Sequence, residues 1–122
     1  MKKTLELNYE GEKIEVLLTI GSYTESKNLY VGIYYMEDGE PELFDDLTVA
    51  LPNSTLELNE GFISGDLTRE KLDLIQKYNL GKILNEKGYS GFGAYPKVAF
   101  DLEKLAEYDS EGVKEYLKSK EV

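Results

Sequence analysis

Asp38, Glu40 and Glu42 recur at every second residue. In an extended chain this spacing sets three carboxylates along one side, about 6.6 Å apart at strand rise. Carboxylates so placed serve three chemistries: holding a hard cation, acid–base catalysis by a pair, and presenting negative charge to a basic partner. The first fails on spacing. With these residues at positions one, three and five of a calcium loop, position six must be glycine and position twelve glutamate; Leu43 and Val49 stand there instead. No metal site is expected, beyond adventitious divalent contact near Asp45 and Asp46. The second needs two carboxylates sharing one site. Asp45 and Asp46 are neighbours, so in a strand their side chains leave on opposite faces. The third chemistry has the best support. Between Asn28 and Thr68 lie nine acids (Glu37, Asp38, Glu40, Glu42, Asp45, Asp46, Glu57, Glu60, Asp66) and no base. Of 24 acids in the chain, removing these nine leaves 15 against 14 bases, so nearly all of the net charge of −10 sits in this segment.

The residues that are missing narrow the field further. Cysteine and histidine are both absent. This excludes disulfides, thiolate nucleophiles, cysteine-held metals and every histidine-activated nucleophile. Arg69 is the single arginine, so bidentate phosphate clamps are scarce. Gly88-Tyr89-Ser90-Gly91-Phe92-Gly93 matches neither a Walker loop nor a dinucleotide loop and reads as a flexible strand entry or bulge. No cofactor is expected. Net negative charge repels nucleic-acid phosphate and anionic membranes, so direct nucleic-acid binding is not expected. The basic start enters an alternating pattern at Glu6 instead of an apolar run, and no stretch reaches a membrane span. The chain therefore reads as cytoplasmic, and the sequon Asn53-Ser54-Thr55 carries no weight there.

The elements that must position the acids follow from periodicity. Thr4–Tyr9 and Lys13–Ile20 alternate with period two about Gly11 and predict a hairpin. Asn28–Met36 is apolar on both faces, as a central strand would be. Asp38-Gly39 is a strong two-residue hairpin signal, with Pro41 limiting pairing just beyond it. The returning strand reads Leu43–Leu51, with Leu43, Asp45, Leu47, Val49 and Leu51 on one side. Thr55–Leu58 and Phe62-Ile63 are short strand candidates. A helix follows, capped by Thr68 with Leu67 and Leu72 as staple, an apolar stripe of Leu72, Ile75 and Tyr78, an Asp73–Lys77 pair, and Gly81 closing it. Gly91–Phe100 reads as a last strand. Asp101 caps a further helix, and Asp109-Ser110-Glu111-Gly112 marks a break and a new cap before Val113, Tyr116 and Leu117. The pattern predicts one domain over residues 1–122, α+β in class, with a mainly antiparallel sheet of about five to six strands covered by two or three helices.

The Asp38-Gly39-Glu40-Pro41 turn runs into Asp46-Leu47-Thr48-Val49 and Leu51-Pro52. Tyr95-Pro96, Leu102-Glu103-Lys104-Leu105 and Glu107-Tyr108-Asp109-Ser110-Glu111-Gly112 follow. This order resembles a family of small uncharacterised proteins, a domain of unknown function, from phages and conjugative elements of Gram-positive bacteria. The resemblance implies an accessory protein of a mobile element and supplies no catalytic residue or cofactor. Together these readings predict a non-enzymatic protein-interaction domain. Its partner-binding candidates are Glu37, Asp38, Glu40, Glu42, Asp45 and Asp46, with Tyr34 and Tyr35 as aromatic anchors, and one form of its action is charge mimicry against a nucleic-acid-handling protein. The plainer account of the same residues is a solvated hairpin that discourages edge pairing, with tyrosines packed in a sheet. Two other functions are set beside it: a homo-oligomeric structural protein joined through the final strand or helix, and a carboxylate hydrolase.

Overall fold

A computed structural model describes residues 3–52, 55–91 and 93–120. Asn53 and Ser54 of the sequon, and Phe92 of the expected last strand, lie outside the described residues. Among the described residues the chain forms eight strands and three helices: β1 (Leu5–Tyr9), β2 (Glu12–Ser22), β3 (Leu29–Glu37), β4 (Glu40–Asp46), β5 (Thr48–Val49), β6 (Glu60–Ile63), α1 (Thr68–Lys77), β7 (Gly81–Ser90), β8 (Gly93–Phe100), α2 (Leu102–Ala106) and α3 (Ser110–Ser119). The class is α+β, as the pattern predicts. The strands divide between two antiparallel sheets, β1-β2-β3-β4 and β5-β6-β8-β7, where a single sheet of five to six strands was expected.

The first sheet is two hairpins joined at β2. Glu10-Gly11 and Asp38-Gly39 both turn with positive φ at each residue, the geometry that matches strand twist in a two-residue loop. The N-terminal half of β2 pairs with β1 and its C-terminal half with β3. Leu5, Leu7, Val16, Leu18, Ile20, Leu29, Val31 and Ile33 line its inner face and are buried. They share one core with Ile63, Leu74, Ile75, Leu80, Val98 and Phe100. α1 touches β1, β6 and β7, and α3 lies on β2, so the helices close the space between the sheets.

The chain leaves the first sheet earlier than its alternation suggests. Ile33 pairs with Asp45 but Tyr34 pairs with Leu43, so β4 carries one extra residue, Phe44. Such a bulge bends the strand and resets which side chains face inward. Phe44 and Leu47 then pack on the core while Leu43 is 52 % exposed, which corrects the single Leu43–Leu51 strand and its shared face. Leu47 bridges the sheets: its N–H donates to the Val31 carbonyl, and its own carbonyl accepts from the Ser64 N–H. Residues 55–58 form no strand; Phe62 and Ile63 belong to β6.

Both ends of α1, one ion pair and one face of α3 differ from expectation. Leu67, in the left-handed region, occupies the cap position of α1 without a side-chain cap bond, and the Thr68 hydroxyl instead donates back to the carbonyls of Ser64 and Gly65. Beyond Lys77 and the cap residue Tyr78, Asn79 takes positive φ, its N–H donating to the Gln76 carbonyl and the Leu80 N–H to that of Ile75. This is a Schellman closure with asparagine where glycine was expected; Gly81 already starts β7. Lys77 lies 3.5 Å from Glu6 of β1 in place of the expected Asp73 pair. In α3, Val113 and Tyr116 are buried, but Leu117 faces out.

The last helix is fixed by a buried carboxylate. Asp109 caps α3 by accepting from the Gly112 N–H (3.1 Å) and accepts the Ile20 N–H of β2 on its other oxygen (2.8 Å). A methyl group on Gly112 would collide with that carboxylate and with the Ile20 carbonyl. Helix propensity alone makes Gly→Ala stabilising by about 1 kcal/mol. Here overpacking against backbone dominates, at about 1–3 kcal/mol. Gly112→Ala is expected to lower the stability measured by urea unfolding; a gain would show that α3 does not dock through Asp109.

Candidate functional site

The acidic segment folds into two different environments. Lys71 of α1 has no exposed side-chain surface, and its ammonium donates to Asp45 Oδ2 (2.9 Å) and to the Ser64 hydroxyl. Ser64 Oγ donates to the Asp46 carbonyl (2.8 Å), and the Asp46 N–H donates to Asp45 Oδ1 (2.8 Å). One charged node thus ties β4, the β6–α1 link and α1 together. A serine beside a lysine is also a nucleophile–base arrangement. Here the ammonium is engaged by a carboxylate and closed to water, so the geometry is that of a structural bolt. Sequence reading passed over Lys71. The signal was available: it stands three and four residues before Leu74 and Ile75, on the buried stripe, opposite an aspartate interrupting an apolar strand face.

Asp46 leaves the strand on the other face. Its carboxylate accepts from the Tyr30 hydroxyl (2.8 Å). The Tyr30 ring meets Tyr23 edge-on at 5.4 Å, and the Tyr23 hydroxyl lies 2.9 Å from Thr48 Oγ1. Burial, then the bonds to Asp46 and Tyr34, push the Tyr30 phenol far above its ordinary range. Asp45 and Asp46 therefore face opposite ways, as adjacency in a strand requires, and both are committed to internal bonds. Further along, Glu60 pairs with Lys97 at 3.3 Å.

Glu37, Asp38, Glu40 and Glu42 are different. All four are exposed on the β3–β4 hairpin. β3 pairs with β2 only up to Tyr34, where β2 continues as the partner of β1, so residues 35–42 pair only with each other as a two-stranded ribbon. Antiparallel partners share a face. The pairs Tyr35–Glu42 and Glu37–Glu40 give one acidic face, and Tyr34–Leu43 and Met36–Pro41 give an apolar one. Met36 is 53 % exposed. Glu37 and Glu40 stand directly opposite each other, an arrangement that destabilises a sheet. The Tyr35 hydroxyl donates to Glu37 Oε2 (3.1 Å), and this bond, followed by the charge of Glu37, raises its phenol. In a two-residue hairpin the closing pair Glu37–Glu40 exchanges the ladder bonds. Pro41 then turns its backbone to the free edge, where it offers no N–H. The edge is therefore poor at adding a strand at Pro41.

The structure thus keeps four of the six candidate acids together with Tyr34 and Tyr35 and assigns Asp45 and Asp46 to the fold. Among the described residues no three Asp or Glu side chains converge as a metal cage would require, and no helix is long and apolar enough to cross a membrane. The class these features define is a two-sheet α+β domain with a projecting acidic hairpin. A family model described as a domain of unknown function, DUF4313, matches residues 17–120, and the chain belongs to that family. The match begins within β2, after β1. No curated protein and no solved structure matches the chain.

Removing Asp45 strands a buried ammonium, which costs about 3–5 kcal/mol. Asp45→Ala is therefore expected to be strongly destabilised in urea, and Asp45→Leu combined with Lys71→Met to be closer to wild type. Equal losses in both would deny the ion pair this role. For Tyr30 the folded phenol value lies above the unfolded one of about 10. Its stabilising contribution is complete below that pH and is lost as pH rises toward the folded value. Ultraviolet titration should show Tyr30 ionising late, together with alkaline unfolding, and Tyr30→Phe should remove one late phenol. A single step for all ten tyrosines near the ordinary value would contradict this.

Proposed function

We propose that this protein is a non-enzymatic interaction domain that captures a basic protein surface on the β3–β4 hairpin. The observation that supports this is the two-faced ribbon: Glu37, Asp38, Glu40 and Glu42 at its tip and on one side, Tyr34, Met36 and Leu43 on the other. Local rules argue against such a ribbon on stability grounds alone, since like charges face one another and large apolar side chains meet water. Departures of this kind concentrate at sites kept for function. An apolar patch rimmed by charge is also the composition of a recognition surface, with charge steering the encounter and buried contacts holding the complex.

The finer reading is an accessory protein of a mobile genetic element, acting in the bacterial cytoplasm on a nucleic-acid-handling protein. A row of carboxylates would occupy a groove that otherwise receives phosphate. Sequence contributes the resemblance, and the acid-rich ribbon contributes the chemistry. Duplex DNA carries a charge about every 1.7 Å of axis, denser than one hairpin offers, so Tyr34, Met36 and Leu43 must contribute the contact area that charge alone does not.

The test replaces Glu37, Glu40 and Glu42 by Gln and Asp38 by Asn. Asparagine tolerates the positive φ of residue 38. Asp45 and Asp46 are left intact because the fold uses them. The expected result is unchanged or slightly higher stability, and loss of partner capture from a bacterial lysate at low salt. Wild-type capture should weaken as salt rises. Undiminished capture by the amide variant would refute the hairpin as the docking site. A salt-resistant dimer in sedimentation would favour self-assembly instead.

A further inference from the structure

The acidic face of the hairpin does not stop at the ribbon. Tyr35 continues inward to Phe44 (ring centroids 6.4 Å apart), and Phe44 meets Tyr9 edge-to-face at 5.2 Å and 88°. These last two rings wall an open cavity of about 370 Å³ completed by Asp45, Asp66 and Leu67. The bulge at Phe44 creates it, because it directs both Phe44 and Asp45 to the α1 side of β4. We propose that this cavity is a subsite for one cationic side chain, lysine or arginine, of the basic partner. The proposal rests on the hairpin reading above and adds to it the class of group that is recognised.

Three features select a cation. Two aromatic rings at right angles form a corner, and a cation within about 6 Å of a ring centroid is attracted by the ring's negative face. The two lining residues with ionisable side chains other than tyrosine are both acids. Asp45 is already satisfied by Lys71 and by the Asp46 N–H. Asp66 is exposed, and no side chain of the described residues bonds its carboxylate, so it is the group left to pair with an incoming charge. The nearby ammonium of Lys71 does not compete, since it is closed to solvent and held by Asp45 and Ser64. An apolar stem fits against Tyr9, Phe44 and Leu67 while the charged head reaches Asp66, which is how long basic side chains divide between apolar and polar surroundings. Glu42, paired with Tyr35, extends the negative potential from the tip to this mouth.

The experiment uses the full chain, labelled with nitrogen-15, and three small probes: Nα-acetyl-lysine amide, Nα-acetyl-arginine amide and the neutral Nα-acetyl-norleucine amide. Amide resonances of Tyr9, Phe44, Asp45, Asp66 and Leu67 are expected to shift with the two cations and not with norleucine. Shifts with only one of the two would name which side chain is taken. Asp66→Asn should weaken the response about fivefold, and Tyr9→Leu should weaken it severalfold with the urea midpoint retained. Equal shifts from norleucine amide, shifts scattered over the acidic surface, or an unchanged response in Asp66→Asn would overturn the subsite. The four-amide hairpin variant separates the two ideas. Cation binding within twofold of wild type in that variant supports a built pocket, and loss of cation binding there reduces the site to diffuse negative potential and overturns it. Partner capture by the same variant judges the hairpin alone.

Discussion

The Lys71 ammonium, held out of water between Asp45 and the Ser64 hydroxyl, is the constraint on which the rest of the arrangement depends. A charge without solvent is stable only where its partner is fixed and its donors are used. That requirement sets Asp45 inward, which the bulge at Phe44 makes possible, and places Asp46 outward on the next residue. It also fixes the crossing between sheets. The Ser64 hydroxyl donates a hydrogen bond to the Asp46 carbonyl and its N–H donates to the Leu47 carbonyl, while the Leu47 N–H reaches back to Val31. The polar bonds of the node and the burial of Leu47 therefore act at the same point of the chain.

This node also sorts the acidic segment. A carboxylate bonded to a buried cation adds little to the field outside, and Glu60, paired with Lys97, adds little more. Glu37, Asp38, Glu40 and Glu42 on the hairpin are instead exposed to solvent. On the opposite face of β4 the Tyr30–Asp46 bond and the Tyr23–Thr48 contact cover the junction of the two sheets, which gives some of the tyrosines a packing role distinct from that of Tyr34 and Tyr35 at the base of the ribbon.

Period-two alternation and turn chemistry placed β1, β2, β3 and the Asp38-Gly39 hairpin, because each depends on residues a few positions apart. The Asp101 and Asp109 caps were legible for the same reason. The continuous strand to Leu51 failed because a bulge inserts one residue without a marker in the local pattern. Thr68 failed as a cap because Leu67 takes the left-handed conformation normally left to glycine or asparagine. Leu117 and the Asp73–Lys77 pair failed because helical period names a face but not what lies opposite it.

The amino-acid sequence by itself determined the α+β class, the excess of acid between residues 28 and 68, and the absence of histidine and cysteine chemistry. Composition and short-range periodicity carry that information in full. Only the tertiary structure decided which acids are free. Asp45 meets the Lys71 ammonium across 26 positions and Asp109 meets the Ile20 N–H across 89, and groups so far apart in the chain are brought together by packing, which no local pattern encodes.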